Sequence, residues 1–399
     1  MPDIPTLISD ISAILLEVVT PFVDDQLSNI NILMNQINSE SRMIDANNQI
    51  FIPTRSGRHA GVYSVAENTQ PRTGAALRQR MSTPVRFTFG SLEITDQTLE
   101  AAAKADRKAV VPILTDDINA LITTFEKDIN RQWFGDGTGQ LALANGTGSS
   151  STTLIVDTPG TEFLIEGQYI NVGSSSVSRI TSVDSDTQVT LATALTWSDN
   201  DSVNKENDAE MMGLKGIIDD GDFVSTFQSL ARSSNPWLNA HTDDASGVLT
   251  EAAMITQFNN ARKFSQKFDA KGNPNNKLVI FMGQTLFEKY GTLLTSMKRT
   301  QGLKEVLSGG WQGLEFMGGQ AAVILEYDCP DGFVFFVDMT SLMRAELTKP
   351  FQWLTGEGDR GILTRSSSNR TLWEATMKYY ANLIVTRIKA NARMSNKTA

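Results

Sequence analysis

One cysteine, Cys329, stands in 399 residues, so no intramolecular disulfide can form. The histidine complement is two, His59 and His241. Neither has a cysteine or a second histidine at ligand spacing, so no metal site and no cofactor is expected. No apolar run approaches the ~20 residues of a membrane-spanning helix. The opening "MPDIPTLISDISAILLEVVTPF" has no basic stretch and carries Asp3, Asp10 and Glu17. It does not read as a signal peptide, and a soluble intracellular product is expected. Catalytic patterns are scarce too. No Gly-x-Ser-x-Gly elbow occurs. "GDGTG" at 135–139 is not followed by the Gly-Lys-Ser/Thr of a phosphate loop, and reads as a turn closing a helix. Asp199 and Asp201 hint at calcium, but Val203 stands where a third ligand belongs and Asn204 where the turn glycine does. "IIDDGD" (217–222) reads as an acidic surface turn rather than a catalytic carboxylate pair. The expectation is a protein that is not an enzyme.

What is present is an unusual distribution of charge. The chain carries a formal net charge of −10, which argues against a polyanion as its main ligand. Yet the segment from Arg55 to Phe87 holds Arg55, Arg58, Arg72, Arg78, Arg80 and Arg86, with Glu67 as its sole acid and no lysine. A nucleic-acid grip calls for lysines and stacking aromatics as well. Here Tyr63 is alone between Phe51 and Phe87, apart from His59. Contact with another protein chain suits arginine, whose planar fork meets carboxylates at two points. A merely solvated loop is the bland alternative; the strand-like runs leading in and out argue against it. The six arginines and Glu67 are therefore the candidate inter-subunit contact residues.

Hydrophobic periodicity organises the rest. Leu7, Ile11, Ile14, Val18 and Phe22, then Leu27, Ile30, Met34 and Ile37, recur at helical spacing, with Pro21 between. "QIFIPTR" from Gln49 and "PVRFTFGSLEIT" alternate as strands, making 51–95 a very long hairpin or extended loop. Thr95 or Asp96 caps a long helix with Leu114, Ile118, Leu121, Phe125 and Ile129 on one stripe and Trp133 beyond; Pro112 should kink or break it. Residues 141–207 are rich in Ser, Thr, Gly and Asp, with about four short strands. They read as a small all-β module, barrel or sandwich. After it α and β signals alternate: a helix capped by Thr250, a buried "KLVIFM" strand, a helix from "GQTLFEKY", and strands "QAAVILEY" and "GFVFFVDM". A second long hairpin is expected between "LMRAELTKPFQWLT" and "TLWEATMKYYANLIVTRIKANARM".

That order of parts, with "FGDGTG" at 134–139, "GLKGIIDDG" at 213–221, "KLVIFMGQTLFEKY" and "FVDMTSL", resembles the major capsid protein of tailed bacteriophages, the Hong Kong 97-like fold also used by encapsulins. The resemblance implies an α+β chain. Its parts would be an N-terminal arm (1–50), an extended loop (51–95) and a spine helix of the peripheral domain (96–140). An inserted β domain (141–207), an axial domain (208–342), a peripheral β-hairpin (343–380) and a C-terminal strand and tail (381–399) would follow. It implies self-assembly as hexamers and pentamers into an icosahedral shell around double-stranded DNA, contacted non-specifically. Portal, scaffold and decoration proteins would be partners, with no membrane. The place would be the virion, assembled in the host cytoplasm. The family's covalent cross-link uses a lysine in the extended loop. The first lysine here is Lys104, so the hold should be non-covalent, and no fused cleavable scaffold is expected. The alternatives are an encapsulin-type compartment and, further off, a nucleic-acid-binding protein using the arginine loop.

Overall fold

The structure is a computed structural model that describes residues 33, 37–40, 44–45, 47–97, 110–157, 159–206, 210–265, 278–301, 314–316, 321–348, 352–354, 364–365 and 371–399. Most of the expected N-terminal arm, including its two helices, lies outside these, as does 98–109 of the expected spine helix. The chain forms two compact units. One holds Arg86–Asn130 and Glu346–Ala381; the other holds Gln36–Val85, Arg131–Ala345 and Asn382–Ala399.

In the first unit, Arg86–Thr95 runs antiparallel to Leu372–Ala381 in unbroken register, from Arg86↔Ala381 to Thr95↔Leu372. Short strands pair with the same long strand: Gln352–Trp353 with Met377–Lys378, and Thr364–Arg365 with Trp373–Glu374. The second long hairpin expected from sequence is present in these pairings. Ile94, Trp373 and Ala375 bury one face with help from Leu92 and Trp353. The helix Val110–Phe134 includes Pro112. Its Leu121 and Phe125 side chains lie over Gly90. Asp96, one of the two expected caps, accepts a 2.7 Å hydrogen bond from the Trp373 indole. Trp373→Phe keeps the ring in its core and loses that bond. The expected cost is about 1.5 kcal/mol, the lower figure for a bond to a charged group. Urea unfolding measures it, and a cost below ~0.5 kcal/mol would mean that water replaces the indole.

The second unit is built on a six-stranded sheet. Its order is His241–Asp243, Ala392–Met394, Val334–Asp338, Leu278–Met282, Ala321–Leu325 and Leu314–Phe316. Leu278–Met282 is parallel to Ala321–Leu325 and antiparallel to Val334–Asp338. All five of its residues are buried, because both faces are covered. On one face Leu278, Ile280 and Met282 meet Met254, Phe258, Leu286 and Tyr290, carried by the helices Glu251–Phe264 and Gln284–Gln301. On the other, Phe134 packs against Phe281 and Phe335, with centroids 5.8 and 6.2 Å apart. Thr250 caps the first helix by accepting from Ala253 N–H at 3.3 Å.

The C-terminal segment carries two further strands. Ala392–Met394 is an inner strand, antiparallel to Val334–Phe336 and parallel to His241–Asp243, and Lys397–Thr398 pairs with Gly247–Val248.

Residues 140–205 form a separate six-stranded sheet. Its order is Gln140–Leu143, Ser202–Lys205, Tyr169–Val172, Ser178–Ser185, Gln188–Trp197 and Gly148–Ile155. An Ala144↔Val156 bridge ties its outer ends, so the sheet curls on itself. Leu154, Ile170, Val172, Ile180, Val189 and Val203 are among its own buried core. The expected turn at "DSDT" joins two of its strands, with Asp186 and Thr187 as the turn pair. Asp199 and Asp201 have backbone partners. Asp199 accepts from Gly146 N–H and Asp201 from Ser198 N–H, both at 2.7 Å.

Chain entry and exit of this sheet are clasped together. Lys205 N–H donates to the Gly139 carbonyl at 3.2 Å, Arg131 pairs with Glu210, and Met211 N–H donates to Gln132 Oε1 at 3.2 Å. "GDGTG" and "GLKG", far apart in sequence, meet at this point. Lys215 Nζ lies 3.0 Å from Asp136 Oδ2. A Cβ on Gly213 would sit 2.3 Å from the Gln132 carbonyl oxygen, so only glycine lets that backbone approach the helix end.

Candidate assembly surface

The arginine segment is a two-stranded hairpin. Gln49–His59 pairs with Ala76–Pro84, from Gln49↔Pro84 through Arg55↔Arg78 to His59↔Ala76. This differs from the sequence expectation in one respect. "PVRFTFGSLEIT" was to be the returning strand, but it pairs with Leu372–Ala381. The hairpin's own return is "ALRQRMSTP", whose alternation is masked by polar residues on an exposed face.

The foot of the hairpin is buried and bonded. Ile50, Ile52 and Met81 are core residues. Asn382 Nδ2 donates to the Pro84 carbonyl at 2.8 Å and to Thr83 Oγ1 at 3.2 Å. A small hairpin, Thr226–Phe227 with Leu230–Ala231, holds it from the side. Ser82 N–H donates to the Gln228 carbonyl at 3.1 Å, and Ser229 Oγ donates to the Ser82 carbonyl at 2.9 Å. Gln228 and Ser229 both take positive φ, 47° and 66°, as a two-residue hairpin turn demands. Sequence reasoning missed this clasp because the turn has neither the glycine nor the asparagine that signals one.

Beyond the foot, burial stops. Arg55, Arg58, Arg72, Arg78, Arg80 and Glu67 are exposed. Ala60 N–H still reaches the Ala75 carbonyl at 3.3 Å. Gly61 and Gly74 then cross so closely that a Cβ on Gly74 would lie 2.4 Å from Gly61 N. His59, exposed, accepts at Nδ1 from Gly61 N–H. Large apolar side chains stand among the arginines: Val62 is 85% exposed, Leu77 70%, Tyr63 48% and Val65 46%.

Electrostatics make the surface incomplete. Arg55 and Arg78 sit directly opposite each other across the strands, an arrangement that repels in a free hairpin. Arg80 lies over Phe51, its Cζ 3.4 Å from the ring centroid, a cation–π contact. Arg86 does not join this group. It is partly buried in the strand paired with Ala381. The structure thus brings five of the six arginines and Glu67 onto one projecting hairpin. Its chemistry is that of a docking surface: exposed apolar groups, a tyrosine and arginines, the types enriched at protein interfaces.

"IIDDGD" departs from the surface turn expected of it. Asp219 is fully buried, 3.0 Å from the equally buried Arg393 Nη1, and accepts N–H bonds from Gly221, Phe223 and Val224. Its counter-ion lies 174 residues away, which no local pattern shows. Asp220, Asp222 and Asp244 bring carboxylate oxygens within 4.8 Å of one another. Asp220 above all, then desolvation and Asp244, raise the pKa of exposed Asp222.

His241 also titrates abnormally. Its ring stacks on Phe264, centroids 5.4 Å apart. Burial first, then the Lys389 and Lys263 ammoniums, lower its pKa below the ordinary 6.5. The unfolded chain therefore takes up the proton first. Stability is full above about pH 6.5 and falls as pH drops from there through the depressed folded pKa. His241→Phe is expected to flatten that fall, read as urea midpoints at pH 7.5 and 5.5. An unchanged slope would assign it to other groups.

No protein-family model matches the chain, and no curated protein does. Solved structures do. The chain overlays a chain of the cyanophage A-1(L) capsid asymmetric unit with TM-score 0.57 and 12% identity, covering 96% of this chain and 98% of that one. The capsid of a native GTA particle overlays with TM-score 0.49 and 10% identity, covering 96% of each chain. An encapsulin complex from Synechococcus elongatus overlays with TM-score 0.45 and 8% identity, covering 98% of this chain and 97% of that one. The fold assignment rests on the first of these. With the hairpin, the long helix ending at "GDGTG" and the sheet-and-helix unit in that chain order, this protein has the mixed α and β Hong Kong 97-like fold.

Proposed function

We propose that the chain is a structural, non-enzymatic shell protein: the major capsid protein of a tailed bacteriophage. Copies assemble as hexamers and pentamers into an icosahedral shell around double-stranded DNA. The observation that carries this reading is the hairpin, which exposes Val62, Leu77 and an opposed arginine pair, Arg55 and Arg78. A free monomer gains nothing from such an arm; a neighbour with carboxylates and an apolar surface completes it. In this reading 49–84 is the extended loop and 110–134 part of the spine helix. Residues 86–95 with 346–381 make the peripheral domain, and 241–343 with 392–394 the axial domain. Residues 140–205 are an all-β domain inserted between the two halves of the "GDGTG"–"GLKG" contact. The shell is held without a covalent cross-link, since the loop has no lysine. Portal, scaffold and decoration proteins are its expected companions in the virion.

The acidic chain as a whole, at −10, fits loose rather than tight contact with packaged DNA. An encapsulin-type compartment uses the same architecture. Electron microscopy of the expressed protein tests the reading. Closed polyhedral particles support it, and a strict monomer at high concentration overturns it. Particles that co-purify with a single enzyme as cargo would move the assignment to an encapsulin.

A further inference from the structure

A cleft of about 220 Å³ opens beside the foot of the hairpin, within the second unit. Its floor is apolar, formed by Met81, Trp237, Phe264, Val385 and Ile388. Its charged lining is of one sign: Arg55, Arg387 and Lys389, with no acid among the lining residues. Arg387 is already engaged by buried Asp338 at 3.3 Å. Among the described residues Lys389 makes a loose 6.0 Å approach to the Phe264 ring, which Lys263 also approaches at 5.6 Å. The site is therefore a small apolar hollow whose charged edge, among the described lining residues, is cationic. A bare phosphate would use the cations and waste the floor; a purely apolar side chain would do the reverse. The fitting ligand is an apolar side chain followed at once by carboxylates.

The sequence holds such a segment outside the described residues. "PFVDD", Pro21–Asp25, sets Phe22 and Val23 immediately before Asp24 and Asp25. Its surroundings sharpen the charge match. From Met1 to Arg42 there are six acids, and Arg42 is the first base. We propose that the Phe22–Asp25 segment of a second copy of this chain docks in the cleft, Phe22 on the apolar floor and Asp24 and Asp25 against Lys389 and Arg55. The inference rests on the shell reading, because a closed assembly repeats one contact from copy to copy. A hollow of this volume takes one large side chain rather than a whole helix. Phe22 is then the anchor, and the two aspartates set its orientation.

Cysteine pairing in the full-length chain tests it. The native thiol, Cys329, is buried and burial holds its pKa well above the ordinary value, so introduced thiols report cleanly. Asp25→Cys with Lys389→Cys, oxidised mildly, is expected to give covalent dimers and higher ladders on non-reducing gels. Either single variant should give at least tenfold less. Phe22→Ala in the double-cysteine background should lower the yield several-fold. A fast-migrating monomer alone would show the contact is made within one chain, and no product would show it is not made; both overturn the proposal. A separate titration of wild-type protein with a labelled 12-nucleotide DNA covers the other polyanion. Binding that is lost in Lys389→Glu, without cysteine ladders, would give the cleft to nucleic acid and overturn the proposal. Particle formation is scored independently by microscopy. Particles without ladders overturn the docking alone, and ladders without particles overturn the shell reading alone.

Discussion

Replacing residues 61–74 by a two-residue Asn-Gly turn is expected to leave a folded chain that makes no stable shells. The excision site follows from the hairpin's geometry. Ala60 N–H and the Ala75 carbonyl are hydrogen-bonded at 3.3 Å, so a tight turn can join them without disturbing the strands. None of the removed residues is buried, and the foot keeps Ile50, Ile52, Met81 and its bonds to Gln228, Ser229 and Asn382. Thermal stability should therefore change by less than about 2 °C, as expected for a surface change. Assembly should fall at least tenfold, because Arg72, Val62, Tyr63 and Val65 leave with the tip. Size-exclusion chromatography and electron microscopy read the result. Closed particles as stable as wild type would remove the hairpin tip from the assembly mechanism. A milder variant separates charge from reach. Arg78→Glu turns the Arg55–Arg78 opposition into a cross-strand pair and should steady the free hairpin while weakening particles.

Some of this was legible in the residues and some was not. "KLVIFM" announces a strand covered on both faces, and Thr250 announces a helix start, because both signals are local. "PVRFTFGSLEIT" announces a strand as clearly, but alternation encodes which side is buried and not which strand pairs. Its partner, Leu372–Ala381, is distant in the chain, so the expected hairpin had the wrong return strand. "ARM" at 392–394 closes the run "TLWEATMKYYANLIVTRIKANARM" and carries no sign of being a strand of its own. It has three residues, one of them arginine, and no window that short shows a period. The structure makes it an inner strand because Arg393 finds Asp219 and Asp244 there. The arginine-rich surface was legible as composition. The opposition of Arg55 and Arg78, the Arg80–Phe51 stack and the separation of Arg86 needed the register.

The same buried arginine gives the largest expected loss of stability. Asp219 and Arg393 are both fully buried and 3.0 Å apart. Asp219 Oδ2 also accepts from Gly221, Phe223 and Val224 N–H at 3.1, 3.2 and 2.9 Å. Arg232 braces the same loop, donating to the carbonyls of Gly216, Ile217, Asp219, Val224 and Leu238. Burial pulls its pKa down to about 10 while Asp219 and Asp220 act to hold it up, so it stays charged at neutral pH. Asp219→Ala leaves buried Arg393 with Asp244 as a remaining carboxylate partner and strands three N–H donors in the interior, and is expected to cost about 3 kcal/mol. Asp219→Asn with Arg393→Met removes both charges and keeps an acceptor. It should recover part of that loss, since the amide oxygen still accepts from the loop N–H groups and no buried guanidinium is left short of a partner. Urea unfolding of the three proteins decides, and a loss under ~1 kcal/mol for Asp219→Ala would show that solvent reaches the pair. The consequence extends to the assembly surface. The loop that Asp219 holds runs through Val224 to the Gln228–Ser229 turn, and that turn bonds Ser82 at the hairpin foot. Loosening Asp219 should speed hydrogen exchange at the Ser82 amide ahead of global unfolding. Shells should then fail in Asp219→Ala at temperatures where the chain is still folded, because the arm has lost its rigid base.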